Sequence, residues 1–266
     1  MENDLVKVLN TDNFSIRYMK FGNGKKNLIF IPGISLKSPL ESAQGIKNTY
    51  KIFGEDFTVY FFDRRDNYPE NFTIEDNAED IYDAICNLNL HKVSICGFSQ
   101  GGMIAQFLAL NHPDVIDKIV LGSTLACENE TIHSVLCNWC KLAELKKSYG
   151  LAENMVDTIF SKKFLSKFKK LIMEMYREVS DEELVKFINI SKSCFGFDVY
   201  DKIEKIKNPV LVLGAENDNV VTAQSSYDIA EKIPNARIYI YEDYGHAVYD
   251  EASDYKQRIY NFLTRN

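Results

Sequence analysis

The chain has 266 residues, 45% hydrophobic and 12% aromatic, enough to bury a large core in one domain or in a domain with an insertion. Its 31 basic and 38 acidic residues give a net charge of −7, which argues against nucleic acid as a partner, because phosphate binding needs a basic footprint. No stretch approaches the roughly 18 unbroken apolar residues of a membrane helix, and the N-terminal residues carry no apolar signal region; no stable membrane anchor is expected, and the six cysteines read as reduced thiols of a cytoplasmic protein.

FSIRYMKFG (14–22) alternates and ends on a glycine turn, which suits an antiparallel strand. NLIFI (27–31), TVYFFD (58–63), VSIC (93–96), IVLGS (119–123), VLVLG (210–214) and RIYIY (237–241) are nearly continuous in apolar character, as strands buried on both faces of a parallel sheet are. Helical patterns lie between them. Residues 73–88 open with a capping-box spelling, Thr73 and Asp76; Met103, Phe107 and Leu110 repeat at helical spacing, and 222–233 and 253–263 complete the set. The alternation predicts an α/β fold, a doubly wound and mostly parallel sheet. Only helical signals occur over 125–203, where twelve acidic and twelve basic residues balance. Residues 1–124 and 204–266 are thus expected to form the core, with 125–203 a helical cap inserted over its site.

In VSICGFSQGGMIAQ (93–106) a serine stands between a strand and a helix. A nucleophilic serine must project from the sheet's carboxyl edge on a sharp turn that leaves no room for side chains two residues either side. Gly97 and Gly101 occupy those positions around Ser99. Serine at its ordinary pKa needs a base, and the base an orienting acid. Among the four histidines, His91 precedes a strand, His112 ends the helix after Ser99, and His133 lies in the insertion; His246 follows the last strand, where a base belongs. Asp218, beyond the strand at 210–214, is the expected acid, with Glu216 in reserve and Glu128 behind it. The tetrahedral oxyanion requires donors, expected from the backbone N–H groups of Ile34 and Gln100.

These residues resemble the α/β-hydrolase fold superfamily. GFSQGGMIAQ, LVLGAENDNVV, IAEKIPNARIYIYEDYGHAVYDE and the helical insertion are similar to its small capped esterases, enol-lactone hydrolases and peroxidase-like members, over nearly the whole chain. Two places depart from the group's pattern: Pro32-Gly33 stands where His-Gly is usual, and DRRDNYPEN (63–71) replaces Asp-x-Arg-Gly-x-Gly-x-Ser. The resemblance implies a serine hydrolase acting on a small carboxylic ester, lactone or thioester, with a small-molecule acyl substrate as partner and neither metal nor organic cofactor. Carbon–carbon bond hydrolysis, a peroxidase-like reaction on the same triad, and non-catalytic small-molecule binding are the alternatives.

Two further patterns stand out in the insertion. His133, Cys137 and Cys140 share a helix face near Cys127, but structural zinc takes four ligands from separate elements, so core packing is the expected role of these cysteines. FSKKFLSKFKKLIMEMY (160–176) is basic and amphipathic, with Phe160, Phe164, Phe168, Ile172 and Met175 on one stripe. That stripe is expected to be buried against the protein's own domain with its lysines outward, membrane-surface contact being the alternative. Facing the site together with Trp139, it would make the pocket apolar.

Overall fold

A computed structural model describes residues 5–265; residues 1–4 and 266, the ends of the expected core, lie outside the described residues. Eight strands form one sheet: β1 (Val6–Asn10), β2 (Ser15–Phe21), β3 (Lys26–Ile31), β4 (Phe57–Arg65), β5 (Val93–Phe98), β6 (Ile116–Gly122), β7 (Val210–Ala215) and β8 (Ala236–Tyr241), in spatial order β1-β2-β4-β3-β5-β6-β7-β8. β1 and β2 pair antiparallel, β2 runs antiparallel to β4, and all other neighbours are parallel. This is the doubly wound, mostly parallel sheet that the strand–helix alternation predicts.

The helices are α1 (Ala43–Thr49), α2 (Ile74–Asn87), α3 (Gln100–Asn111), α4 (Glu130–Glu144), α5 (Ser148–Ile159), α6 (Lys162–Met175), α7 (Asp181–Lys192), α8 (Ala223–Lys232), α9 (Val248–Glu251) and α10 (Tyr255–Thr264); α2, α3 and α8 pack on strands, whereas α4–α7 pack chiefly on one another. α2 starts with the Thr73–Asp76 capping box. Alternation along β3 divides the core. Ile29 and Ile31 join Ile95, Met103 and Ile104 on one face, while Leu28 and Phe30 join Phe53, Phe98 and Tyr255 on the other. Each such side chain taken from water stabilises the fold by about 1.5–3 kcal/mol.

Three expectations need correction. β8 is an edge strand, not one buried on both faces: Arg237, Ile238 and Tyr239 are exposed, and the Arg258 guanidinium lies over the Tyr239 ring. The α6 stripe is only partly buried against its own domain: Phe160 and Ile172 pack on the core and Phe164 is half-buried, but Phe168 and Met175 are exposed, and Met173 is the buried residue of that helix. Of the cysteines expected in the core, Cys140 is buried but Cys127 and Cys137 are exposed. The short β1, which the sequence analysis leaves unassigned, is a half-solvated edge with no strong apolar run.

Candidate active site

β5 ends at Phe98 and α3 begins at Gln100, so the whole turn is Ser99. Its backbone lies at φ 52° and ψ −122°, a region that L residues rarely adopt and that costs on the order of 1–3 kcal/mol. Neighbouring bonds hold it there: the Ser99 N–H donates to the Gly122 carbonyl (2.9 Å), and the Ser99 carbonyl accepts from the Gly102 N–H (2.8 Å) and the Thr124 hydroxyl (2.8 Å). A Cβ at Gly97 would collide with the Gly101 carbonyl, and one at Gly101 with the Ile31 carbonyl. These two positions admit glycine because the turn presses β5, α3 and β3 together.

β7 leads into a loop carrying Asp218, and β8 into a loop carrying His246; both loops converge on Ser99. His246 Nδ1 donates to Asp218 Oδ2 at 2.8 Å, and His246 Nε2 lies 3.0 Å from Ser99 Oγ, placed to accept its proton. Asp218 Oδ1 accepts from the N–H groups of Val220 (2.8 Å) and Val221 (2.9 Å). Burial by itself raises the Asp218 pKa, but His246 and these two N–H groups outweigh it and hold the carboxyl below its ordinary value. All three side chains are buried.

The other candidates lie elsewhere. Glu216 is exposed, Glu128 bonds His133 and the Gly196 N–H, and His112 bonds Glu79. Among the described residues no group of three or more His, Cys, Asp or Glu side chains could hold a metal ion.

The Ile34 and Gln100 amides flank the serine. Neither donates to a backbone carbonyl among the described residues. The loops bearing them are tied by Arg64, a buried residue that the sequence analysis leaves without a role. Its Nε (3.1 Å) and Nη2 (2.8 Å) donate to Gln100 Oε1, and Nη2 also donates to the Pro32 carbonyl at 2.7 Å. Gln100 Nε2 continues the chain of bonds to the Ile190 carbonyl (2.8 Å), Ser193 Oγ (3.0 Å) and Cys194 Sγ (3.3 Å) at the end of α7. One departure from the resembled pattern takes part in this contact, since the carbonyl of Pro32 is held by Arg64, which fills the unspecified second position of Asp-x-Arg-Gly-x-Gly-x-Ser. Burial lowers the Arg64 pKa and pushes the Cys194 thiol up to about 12. The sequence signal is a doubled arginine at a strand end; the burial of the first depends on α7, which is distant in the chain.

Ser99, His246 and the two amides border a chamber of about 30 Å³, the room of a single small molecule such as water. Ile132, Leu136 and Trp139 from α4, Met155 and Ile159 from α5, and Met103 make it apolar. Of the two features whose orientation the sequence left open, Trp139 faces the site, but the α6 stripe does not line it. The Trp139 indole N–H donates to Asn154 Oδ1 at 3.0 Å, which satisfies its polar edge. The joint between α5 and α6 is fastened beside His246: the Ala247 N–H donates to the Ile159 carbonyl at 2.8 Å, and Glu251 accepts from the N–H (2.8 Å) and the hydroxyl (2.5 Å) of Ser161. On the far side of Gly33 opens a polar cleft of about 830 Å³, lined by Arg17, Asp63, Arg64 and Lys186 among others.

The model of one protein family, described as serine aminopeptidase, S33, matches residues 51–253. The chain is 20% identical over 243 residues to 3-oxoadipate enol-lactonase 2 of Acinetobacter baylyi, spanning 88% of this chain and 87% of that protein. Among solved structures, an α/β hydrolase enzyme from a Medee basin deep-sea metagenome library superposes with a TM-score of 0.87 at 20% identity, covering 98% of both chains. The enol-lactonase of Burkholderia xenovorans LB400 superposes with a TM-score of 0.84 at 20% identity, over 97% of this chain and 100% of that one. The fold is that of the α/β hydrolases.

Proposed function

The chain belongs to the family described as serine aminopeptidase, S33, and is an α/β hydrolase; from that membership we propose that it is a serine hydrolase cleaving a small carboxylic ester, lactone or thioester through an acyl-enzyme on Ser99. The observation that carries the reading is the 3.0 Å separation of Ser99 Oγ and His246 Nε2, with Asp218 behind the imidazole. Ser99 Oγ attacks the acyl carbon while His246 Nε2 takes its proton. Asp218 keeps the other imidazole nitrogen protonated and stabilises the imidazolium that forms. His246 then hands the proton to the leaving oxygen or sulfur, and in the second half-reaction draws one from water as that water attacks the acyl-enzyme.

The amides of Ile34 and Gln100 receive the oxyanion in this scheme. Arg64 acts as a positioning residue, holding the Pro32 loop and the Gln100 turn at a fixed separation. Its guanidinium touches no reacting atom; its contribution is to pre-set two donors that would otherwise have to be organised during the reaction. Residues 125–203 serve as a cap on the core formed by 1–124 and 204–266, a role supported by the α4 and α5 side chains that wall the chamber opposite Ser99. A chamber so small and apolar favours a short acyl group, accommodated by movement of the pliable Met103 and Met155. A cytoplasmic setting, in which the thiols stay reduced, completes the reading. A serine-directed fluorophosphonate tests it: the native protein acquires the label at Ser99, and an unlabelled but folded protein overturns the proposal.

A further inference from the structure

The α6 helix presents to solvent the apolar side chains that a cap helix ordinarily turns inward. Phe168 is 41% exposed, Leu171 67% and Met175 54%. At about 100° per residue, Phe164, Phe168, Leu171 and Met175 occupy one arc of roughly 60°. Phe160 stacks on Phe164 and Phe168 packs tilted against Phe164, with ring centroids 5.1 and 4.7 Å apart, so the ridge is already ordered and little rotamer freedom remains to be lost on docking.

The adjoining arc is basic. Lys163, Lys167 and Lys170 are exposed and have no ion pair among the described residues. Lys169, on the inner side, pairs with Glu153 (3.3 Å) and Asp157 (2.8 Å) and fastens α6 to α5. The helix holds five lysines against the single Glu174, in a chain whose net charge is −7. Positive charge beside exposed apolar side chains is therefore concentrated here against the trend of the molecule.

We propose that the outer face of α6 docks on an anionic lipid surface, its Phe–Leu–Met ridge entering the headgroup boundary and its lysines meeting lipid phosphates. Charge decides the occupant. A second copy seated on the same face by two-fold symmetry would set lysine against lysine, whereas an anionic lipid surface complements both halves of the face. The Ser161–Glu251 and Ala247–Ile159 bonds connect this helix to the loop bearing His246, so docking sets the lipid surface against an element fastened to that loop.

Sedimentation of the full chain with phosphatidylcholine vesicles, with and without phosphatidylglycerol, tests the inference. Each lysine reaching an anionic surface is worth roughly fivefold in affinity, so binding to the phosphatidylglycerol vesicles should be at least about tenfold tighter, and lost at high salt. The triple substitution K163E/K167E/K170E should abolish that preference. Leu171→Glu together with Met175→Glu should release the protein from both compositions while leaving its thermal unfolding nearly unchanged. Absence of binding, equal binding to both vesicle types, or the apolar substitutions dispersing a dimer without altering vesicle binding would each overturn the proposal. Vesicle binding is read without reference to turnover, so its failure is distinguishable from failure of the hydrolase reading.

Discussion

The chamber beside Ser99 holds about 30 Å³ and the cleft across Gly33 about 830 Å³, yet the groups suited to acyl transfer surround the smaller one. The cleft is rich in charge that is partly spent on itself: Arg17 on Asp63 and Asp66, Lys37 on Glu41. The chamber has largely apolar walls, and a connected line of polar atoms runs from it, from Ser99 through His246 to Asp218. Volume therefore misdirects here. Chemistry needs a few polar groups aimed at one point in dry surroundings, where their interactions are not diluted by water.

The comparison is open to breaking at several strengths. Ser99→Ala should reduce kcat toward a p-nitrophenyl ester by a factor on the order of 10⁶, with little change in Tm, while Lys186→Ala in the cleft should change it by less than about threefold. The reverse ranking would move the chemistry into the large hollow. Asp218→Asn should lower kcat by about 10⁴, because the imidazole would be held in the wrong tautomer.

The depressed Asp218 pKa carries a sign for stability as well. Stabilisation from a carboxylate whose folded pKa is lowered is present above its unfolded value of about 3.9 and is lost as pH falls through the folded one. The Tm difference between wild type and Asp218→Asn should accordingly be wide at neutral pH and narrow in strong acid, as read by thermal melts across that range. A gap that persisted unchanged in acid would contradict the ionised, bonded state of Asp218.

Smaller effects test the supports. Arg64→Met should lower kcat by about 10²-fold with KM nearly unchanged, since oxyanion donors act in the transition state and one is worth roughly that much. Arg64→Lys should restore part of the loss; a merely structural arginine would lower the active fraction without dividing the two constants. Smallest is a difference in rate among thiols. Cys86, Cys127 and Cys137 are exposed and Cys96, Cys140 and Cys194 buried, so a thiol reagent on the native protein should react with three quickly and three slowly. Cys194, beside Gln100, should be among the slow ones, because burial keeps its thiol protonated.

The same contrast explains what the sequence can and cannot reveal. Gly97, Ser99 and Gly101 are legible because a backbone constraint leaves a mark in residue type at fixed spacing. The strand runs announce themselves for a similar reason, through continuous apolar character. The direction in which a helix turns its face is another matter. Phe168 and Met175 on α6 follow the spacing of a core helix, yet they are exposed. Periodicity defines a face without saying what lies opposite it. Arg64 was illegible for a related reason: nothing local shows that Pro32, Gln100 and the end of α7 converge on one strand end, 90 residues separating the last two.

The chain contains a single tryptophan, and Trp139 stands in the wall of the chamber. Its tryptophan fluorescence thus comes from one known point, a few side chains from the serine, with no second indole to confuse the signal. Entry of an acyl group, displacement of water or a shift of α4 would each alter emission at that point, so the protein carries a built-in optical gauge of its own occupancy, and transient-state kinetics can be recorded without attaching a dye.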